Sequence, residues 1–393
     1  MIEISETVAD LKPSGIREFF DLVMSMDDVI SLGVGEPDFA TPWHIREAAI
    51  QSIEDGYTNY TSNTGMPELR NAISEHMGSV HNLDYDPEDE LLITTGVSEG
   101  MDLAMRALLN PGDEVIVPTP CYVSYLPTAK MAGGRVKTLN TAKNDFKIDP
   151  AQLDRLISAK TKLLVLNYPS NPTGVTYGKK ELAKIAELVR EHELIVISDE
   201  IYGHLTYNHD HYPFPTLEAM QEHTVFLNGY SKSCAMTGMR IAYAAGPEKI
   251  IGAMNKIHQY TMLCAPTTSQ FAAVEATRHG ADAIEDMKGE YERRRNLVHN
   301  RLNEMGLDCP LPEGAFYAFP SVQNTGLDPE EFCRKLLSEH SVAAVPGAAF
   351  GPGGETNIRI SYATGFQQLR EALSRMKEFV HEHTRHKSSS TSS

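Results

Sequence analysis

The sequence predicts an α/β fold in which a mostly parallel β-sheet is covered by helices on both faces. Short runs rich in leucine and β-branched residues alternate with segments of helical period through the middle of the chain, as in strand, helix, strand units. Turns rich in Pro and Gly, such as residues 110–112, separate these segments. The chain has 393 residues, of which 41% are hydrophobic, so we expect two domains rather than a single core.

The predicted strands are short apolar runs bounded by turns. They lie at residues 90–94, 114–117, 162–166, 194–198, 224–228 and 241–245. Between two of them, residues 179–190 place Leu182, Ile185, Ala186 and Val189 at the i, i+3, i+4 and i+7 spacing of an amphipathic helix. We expect this helix to cover one face of the sheet.

A different pattern follows Cys264, where long polar segments of helical period replace the alternation. These predict helices at residues 281–305, 330–339 and 367–380, with a strand at 357–361. We predict a large domain of residues 40–285 and a small domain built from both chain ends, residues 1–39 and 286–381. Residues 382–393 are rich in Ser and Thr and have no apolar face, so we predict a disordered tail.

The composition excludes several classes of partner. The net charge is −18, from 35 basic and 53 acidic residues, which argues against binding to nucleic acid or to an anionic membrane. Five cysteines, odd in number and without a CxxC pair, favour a reducing cytoplasm. The acidic N-terminus does not read as a signal peptide, and no apolar run is long enough to span a membrane. We predict no metal site.

The most informative segment is residues 228–240, NGYSKSCAMTGMR. A lysine in a tight polar turn, here Lys232, can bond covalently to an aldehyde cofactor, and an arginine such as Arg240 can grip a phosphate with two parallel hydrogen bonds. This layout suits a pyridoxal phosphate enzyme. Taken alone, the segment also fits an exposed basic pair on a loop.

Three further motifs favour the enzyme: NPTG at residues 171–174, DEIY at 199–202 and NIRISY at 357–362. In this order and spacing, with the lysine motif, they make the chain resemble the class I aminotransferases of pyridoxal phosphate (PLP) fold type I, in the aspartate and aromatic branch. The resemblance runs from about residue 11 to about residue 380. It implies a large domain with a mostly parallel seven-stranded sheet, a smaller α/β domain, PLP as cofactor and a homodimer.

Asp199 is the candidate partner of the cofactor's ring nitrogen. PLP acts as an electron sink when that nitrogen is protonated, and a buried carboxylate stabilises the proton. Asp199 follows the predicted strand at 194–198, at the strand end where open α/β sheets bind ligands. On its own motif it would equally fit a helix N-cap. The resemblance makes Lys232 both the cofactor anchor and the base that moves the substrate proton.

The phosphate needs fixed donors, and residues 95–98 end a strand where a helix begins, so their amides form an anion site. The resemblance implies that the phosphate contacts come from Gly96, Val97, Ser98, Ser231 and Arg240. A plain strand-to-helix turn is the alternative. Gly229 stands where some relatives carry a serine, which leaves one hydroxyl contact open.

The resemblance also assigns the remaining contacts to the cofactor and to the substrate. Tyr122 would stack on the ring, while Asn171 and Tyr202 would donate to its 3′ oxygen; each is otherwise explained as a core or turn residue. Arg359 would hold the substrate α-carboxylate, with Asn171 beside it and Gly35 allowing close backbone approach.

Tyr60 matches a tyrosine that in relatives reaches the phosphate of the neighbouring subunit, which implies an active site shared by two chains. Aspartate-preferring relatives carry a lysine at the position of Ser98, whereas the apolar Ile16 and several tyrosines favour aromatic or apolar donors.

The expected reaction transfers an amino group from an L-amino acid, aromatic, aspartate or broad in range, to a 2-oxo acid such as 2-oxoglutarate. A PLP-dependent C–S β-lyase of the cystathionine lyase type shares the same residues and is the alternative. A PLP-bound transcription regulator would need a basic module ahead of the fold, and we expect no room for one. The string GVGEPD at residues 33–38 lacks the third glycine and the following helix of a dinucleotide fingerprint, so we reject that interpretation of the string. A nicotinamide oxidoreductase is the remaining alternative, and a visible imine absorption band would exclude it.

Overall fold

The computed structural model describes residues 3–11 and 28–390, with side chains up to residue 384. The strands in chain order are β1 (Ile30–Ser31), β2 (Leu91–Thr94), β3 (Glu114–Thr119), β4 (Arg135–Asn140), β5 (Thr161–Asn167), β6 (Ile195–Asp199), β7 (Thr224–Gly229), β8 (Ala242–Ala245), β9 (Tyr317–Ala318), β10 (Val342–Ala343), β11 (Val345–Pro346) and β12 (Ile358–Ser361). The helices are α1 (Glu6–Ala9), α2 (Trp43–Glu54), α3 (Pro67–His81), α4 (Val97–Leu108), α5 (Tyr125–Met131), α6 (Pro150–Leu156), α7 (Lys179–Glu191), α8 (Glu248–Thr261), α9 (Thr267–His279), α10 (Ala281–Glu304), α11 (Pro329–His340) and α12 (Phe366–Ser390).

Seven strands form one sheet in the order β2-β8-β7-β6-β5-β3-β4. All neighbours are parallel except β8, which runs antiparallel to both β2 and β7. Apolar side chains from the two sheet faces pack into separate cores, one with Met101 and Met105 of α4, the other with Leu182 and Ile185 of α7. The predicted α/β class and mostly parallel seven-stranded sheet are confirmed.

The two ends of the described chain pack together. β1 pairs in parallel with β10, and β11, β12 and β9 form an antiparallel sheet. Leu32 shares one core with Phe332 of α11, Ile358 of β12 and Phe379 of α12. The domain boundaries at residues 40–285, and at 1–39 with 286–381, stay predictions. Ile16 lies outside the described residues.

In the seven-stranded sheet one strand was not predicted, and the last helix is longer than expected. β4 was not predicted, because it is an edge strand in which Arg135, Lys137 and Asn140 leave no clear apolar run. The helix α12 continues to Ser390, whereas residues 382–393 were predicted to be a disordered tail. Contacts with the neighbouring helix extend past residue 381, since Nε2 of His383 lies 3.4 Å from Oε2 of Glu339 on α11.

Candidate active site

The predicted site residues converge because three neighbouring parallel strands end at one edge of the sheet. Asn167 ends β5, Asp199 ends β6, and Gly229 ends β7 just before the lysine turn. These ends open into a cavity of about 650 Å³. The predicted residues that line it are Gly35, Val97, Ser98, Tyr122, Asn171, Asp199, Tyr202, Ser231, Lys232, Arg240 and Arg359. Gly96 and Tyr60 are not among the lining residues.

Lys232 projects into this cavity from the turn after β7. Its Nζ donates a hydrogen bond of 2.7 Å to the carbonyl oxygen of Gly35, on the segment after β1. Burial lowers the pKa of Lys232 to about 8; Glu36 opposes the shift, and Arg359 adds to it. A lysine with a pKa this low has a substantial neutral fraction near physiological pH, and the neutral amine is the nucleophile.

Asp199 lines the same cavity, with 4% of its surface exposed. Its carboxylate accepts hydrogen bonds from the hydroxyl of Tyr125, at 2.6 Å, and from the amide of Ile201, at 3.2 Å. Burial raises the pKa of Asp199 to about 6, although the hydrogen bond from Tyr125 opposes the shift. A cationic group in the cavity would therefore favour the ionised carboxylate.

Sequence reasoning missed Tyr125 and Asn167. Tyr125 begins α5, three residues after Tyr122, so the two rings meet edge to face at 5.7 Å. The side chain of Asn167 donates to the carbonyl of Asp199 at 3.1 Å and accepts from the amide of Asn171 at 3.1 Å. It thus ties the NPTG segment to the end of β6. Its position at the end of β5 was the available signal.

The start of α4 and the side chain of Arg240 form one end of the cavity. Gly96 caps the helix with a φ of 89°, and a Cβ there would lie 2.5 Å from Nη2 of Arg240. The first amides of a helix have no acceptor within it, so the amides of Val97 and Ser98 are available to a ligand. Arg240 donates at 3.0 Å to the carbonyl of Thr237, a further lining residue that the sequence analysis missed.

Arg359 lies in β12 with 3% of its surface exposed. Its Nη1 donates at 2.9 Å to the side-chain oxygen of Asn171, and its Nη2 donates to the carbonyl of Gly33. The guanidinium carbon lies 4.7 Å from the ring centre of Tyr317 and 4.8 Å from that of Phe350. Its Nε is buried without a hydrogen-bond partner in the described part of the chain. A rigid cation with an unused donor suits a carboxylate ligand.

The hydroxyl of Tyr317 lies next to two of the predicted residues, Tyr202 and Gly35. This hydroxyl lies 2.8 Å from that of Tyr202, so one of the two must donate to the other. A Cβ at Gly35 would lie 2.6 Å from the same hydroxyl. The absence of a Cβ at Gly35 therefore leaves room for Tyr317. The predicted approach of the Gly35 backbone to the substrate carboxylate stays a prediction. Sequence reasoning missed Tyr317.

Tyr60 is 81% exposed on the described chain. An exposed tyrosine is what a contact to a neighbouring subunit would leave on one chain. The described residues contain no group of three or more His, Cys, Asp or Glu side chains placed to hold a metal ion.

The cavity has the donor set that pyridoxal phosphate requires. The cavity is lined by the nucleophilic amine of Lys232, by the first residues of α4, by the buried carboxylate of Asp199 and by the aromatic ring of Tyr122. The side-chain oxygen of Asn171 accepts from Arg359, so the side-chain nitrogen of Asn171 is available to donate to a ring oxygen. The residues present therefore fit the cofactor.

Comparisons with known proteins agree with this chemistry. The family model for aminotransferases of class I and II matches residues 27–376. The Bacillus subtilis protein YugH is 50% identical over 382 residues, covering 97% of this chain and 99% of its own. The aspartate aminotransferase of Pyrococcus abyssi is 44% identical over 383 residues, with 96% and 98% covered. A crystal structure of the aromatic aminotransferase of Pyrococcus horikoshii OT3 superposes with a TM-score of 0.89 at 43% identity, covering 94% of this chain and 99% of that one. The chain belongs to the class I and II aminotransferases and is a PLP-dependent aminotransferase of fold type I.

Proposed function

We propose that this aminotransferase moves the amino group of an L-amino acid, aromatic, aspartate or broad in range, to 2-oxoglutarate, with the residue roles given below. The observation that supports it best is that the amine of Lys232, the carboxylate of Asp199 and the guanidinium of Arg359 line one cavity of about 650 Å³. These three groups meet the needs of the reaction: a cofactor anchor and base, a partner for the ring nitrogen, and a site for the α-carboxylate.

Each residue role follows from its surroundings. When bound, PLP supplies the electron sink that lets the Cα proton of the substrate leave. Lys232 would hold the cofactor through its amine, and the same amine would serve as the base that takes and returns the Cα proton of the substrate. Asp199 keeps the ring nitrogen protonated, and Arg359 holds the α-carboxylate so that the Cα–H bond faces Lys232.

Further roles complete the proposed site. The phosphate contacts come from Gly96, Val97, Ser98, Ser231 and Arg240, and Tyr122 stacks on the ring. Asn171 and Tyr202 donate to the 3′ oxygen; because Tyr202 has a single proton, Tyr317 then donates to Tyr202 across their 2.8 Å contact. Gly35, which has no Cβ, lets the backbone approach the substrate carboxylate, and its carbonyl accepts from Lys232 in the described structure.

We further propose a homodimer in the cytoplasm. Exposed apolar side chains at Trp43, Ile53, Tyr57 and Tyr60, at 51% to 81% exposure, cluster in sequence around α2 and support burial against a second chain. All five cysteines are free, which agrees with a reducing compartment. In the described part of the chain, no helix has the length and apolarity to cross a membrane.

The range of donors is the open part of the proposal. Val34, Val123 and Ile201 give the cavity apolar wall, and Tyr122 and Tyr317 give it aromatic wall, so an aromatic donor side chain would have apolar surface to bury. The relatives named above include both an aspartate and an aromatic aminotransferase.

A donor panel tests the proposal directly. The purified protein with PLP is given 2-oxoglutarate and, in turn, tyrosine, phenylalanine, aspartate and alanine, and glutamate is measured. We expect glutamate from at least the aromatic or the aspartate donors and none with Lys232→Ala. Cystathionine serves as a second substrate. Pyruvate and ammonia from it, without glutamate from any donor, would instead establish the C–S β-lyase.

A further inference from the structure

The first turn of α4 is fastened to α8 by a buried pair that the proposed reaction does not use. Glu99 lies in that turn, and its Oε1 is 2.6 Å from Nδ1 of His258 on α8. His258 is fully buried, and Glu99 is 11% exposed at its side chain. Burying such a pair costs desolvation free energy, which is offset only if the pair has good hydrogen-bond geometry and holds its neighbours in place.

The other oxygen of Glu99 binds the turn that precedes the helix. Its Oε2 accepts from the backbone amide of Thr95 at 2.6 Å and from the hydroxyl of Thr95 at 2.7 Å. Both donors of Thr95 are therefore used inside the protein. The amides of Gly96, Val97 and Ser98 follow directly and donate no backbone hydrogen bond in the described structure, and Val97 and Ser98 line the cavity.

The same turn also orients Arg240. The carbonyl of Thr95 lies 3.5 Å from Nη2 of Arg240, and Gly96 packs against that guanidinium. A shift of Thr95 would therefore move the backbone donors and the arginine together. Glu99, through Thr95, is therefore connected to both halves of the proposed anion site.

The charge of Glu99 is compatible with a nearby anion because its oxygens are occupied. Burial raises the pKa of Glu99, but hydrogen bonds from His258 and Thr95 outweigh this and hold the pKa below its ordinary value. The carboxylate is ionised and does not line the cavity, and both of its oxygens accept from protein donors.

We propose that Glu99 and His258 are positioning residues for the phosphate end of the cofactor, holding the Thr95 turn so that the amides of residues 96–98 and Arg240 converge on one anion. This inference rests on the proposed assignment of those groups to the phosphate. Neither residue lines the cavity, so both act through the turn.

The test compares cofactor forms with and without the phosphate. Apoenzyme is titrated with pyridoxal 5′-phosphate and with pyridoxal. The ratio of the Kd for pyridoxal to the Kd for pyridoxal 5′-phosphate measures how much the phosphate contributes to binding. For Glu99→Ala we expect this ratio to fall about tenfold, from the loss of hydrogen bonds to a charged group. Glu181→Ala is the matched control: Glu181 is also a first-turn glutamate, accepting from the amide of Gly178 at 2.7 Å, but on α7, away from the cavity. Its ratio should not change.

Milder variants keep the test informative if Glu99→Ala does not fold. Glu99→Gln retains an oxygen for Thr95 but loses the charged contact to His258, and His258→Asn retains a donor for Glu99. Both should lower the ratio by less than Glu99→Ala, and inorganic phosphate should compete less well with the cofactor for each apoenzyme. Thermal stability lowered with an unchanged ratio would show that the pair only supports the fold, and would overturn the proposal.

Arg240→Ala separates this inference from the assignment beneath it. If Arg240→Ala lowers the ratio and the Glu99 and His258 variants do not, the phosphate assignment stands and the positioning role is wrong. If Arg240→Ala also leaves the ratio unchanged, the phosphate lies elsewhere and both fall.

Discussion

Burial shifts the pKa values of two residues in opposite directions, and in each case favours the uncharged form. The pKa of Lys232 falls to about 8, and that of Asp199 rises to about 6. A ligand that bonds to a neutral amine and brings a proton on a ring nitrogen relieves both penalties at once. The residue environment thus favours this cofactor before any substrate arrives.

The lowered pKa of Lys232 predicts a pH-dependent stability of the apoenzyme. Its ordinary pKa is 10.5, so between about pH 8 and pH 10.5 the unfolded chain binds more protons at this residue than the folded one, and stability from this residue rises with pH. Below pH 8 the burial penalty is fully present. We expect Lys232→Met apoenzyme to resist urea better than wild type at pH 7, with a smaller difference at pH 10. An equal difference at both pH values would contradict the shifted pKa.

Asp199→Asn should keep the cofactor but lose activity. Asparagine still accepts from Tyr125 at the 2.6 Å contact, yet carries no charge to hold a proton on the ring nitrogen. Loss of one partner of a buried charge pair costs about 2–5 kcal/mol, so we expect kcat/KM to fall roughly 30- to 3,000-fold. The absorption spectrum of the holoenzyme checks retention of the cofactor. Activity within about threefold of wild type would rule out this role.

Arg359 should govern substrates and leave the cofactor unaffected. Arg359→Lys keeps the charge but loses the planar fork, and its neighbours Tyr317 and Phe350, which flank the guanidinium, lose their stacking partner. For Arg359→Ala we expect kcat/KM to fall roughly 30- to 3,000-fold for amino acids and oxo acids alike, and somewhat less for Lys. Cofactor Kd, measured alongside, should hardly move. Weakened cofactor binding with unchanged kcat/KM would mean that Arg240 and Arg359 have exchanged roles.

The sequence could reveal those residues whose chemistry is carried by a short motif, such as Lys232, Asp199 and Arg359. Tyr125 and Tyr317 were not predicted as site residues, because a tyrosine is as common in a core as in a site. Only the tertiary contacts distinguish the two. Glu99 and His258 are 159 positions apart, and nothing local links them.

At the scale of elements, the turn between β2 and α4 depends on a glycine for two reasons that can be separated. Gly96 has a φ of 89° and packs on Arg240, whereas Gly112 has a φ of 95° and no described atom lies within 4 Å of the point that a Cβ would occupy. Alanine at either site should cost about 1–3 kcal/mol of stability, because both backbones have a positive φ. We expect only Gly96→Ala to weaken PLP binding as well, because its Cβ would displace the guanidinium.

Thermal unfolding and cofactor titration of both variants check this expectation. Equal cofactor Kd values for Gly96→Ala and Gly112→Ala would show that crowding against Arg240 does not matter. If the two variants differ in stability but not in cofactor Kd, Gly96 matters for the start of α4 and not for cofactor binding.

The elements themselves were predictable where an apolar pattern was dense. The six predicted strands of the sheet are all present, and α7 extends only one residue beyond its predicted end. β4 escaped because an edge strand needs no apolar run on both faces. The end of α12 escaped because its last turns are polar, so periodicity gives no signal there.

The whole molecule, by our proposal, is two chains with two shared sites. One chain leaves Tyr60 81% exposed and Tyr260 87% exposed, beside other uncovered apolar side chains. Exposure of apolar side chains to water is unfavourable, and their burial against a second chain would stabilise the dimer. Sedimentation of the wild type should therefore give a mass near twice 43.5 kDa.

Subunit complementation tests the sharing itself. Lys232→Ala and Tyr60→Ala are each expected to be weakened or inactive as homodimers, the first without an anchor and the second without the tyrosine that reaches the partner's phosphate. In a mixed dimer, the site that contains an intact Lys232 receives Tyr60 from the Lys232→Ala chain, so that site is complete. We therefore expect co-expressed, separately tagged chains to recover about half of the wild-type kcat per dimer, with one working site in two. If Tyr60 acts within its own chain, the lysine-bearing subunit lacks it, and the mixed dimer is no more active than the Tyr60→Ala homodimer. A Tyr60→Ala homodimer with full activity and unchanged cofactor Kd would remove Tyr60 from the site altogether.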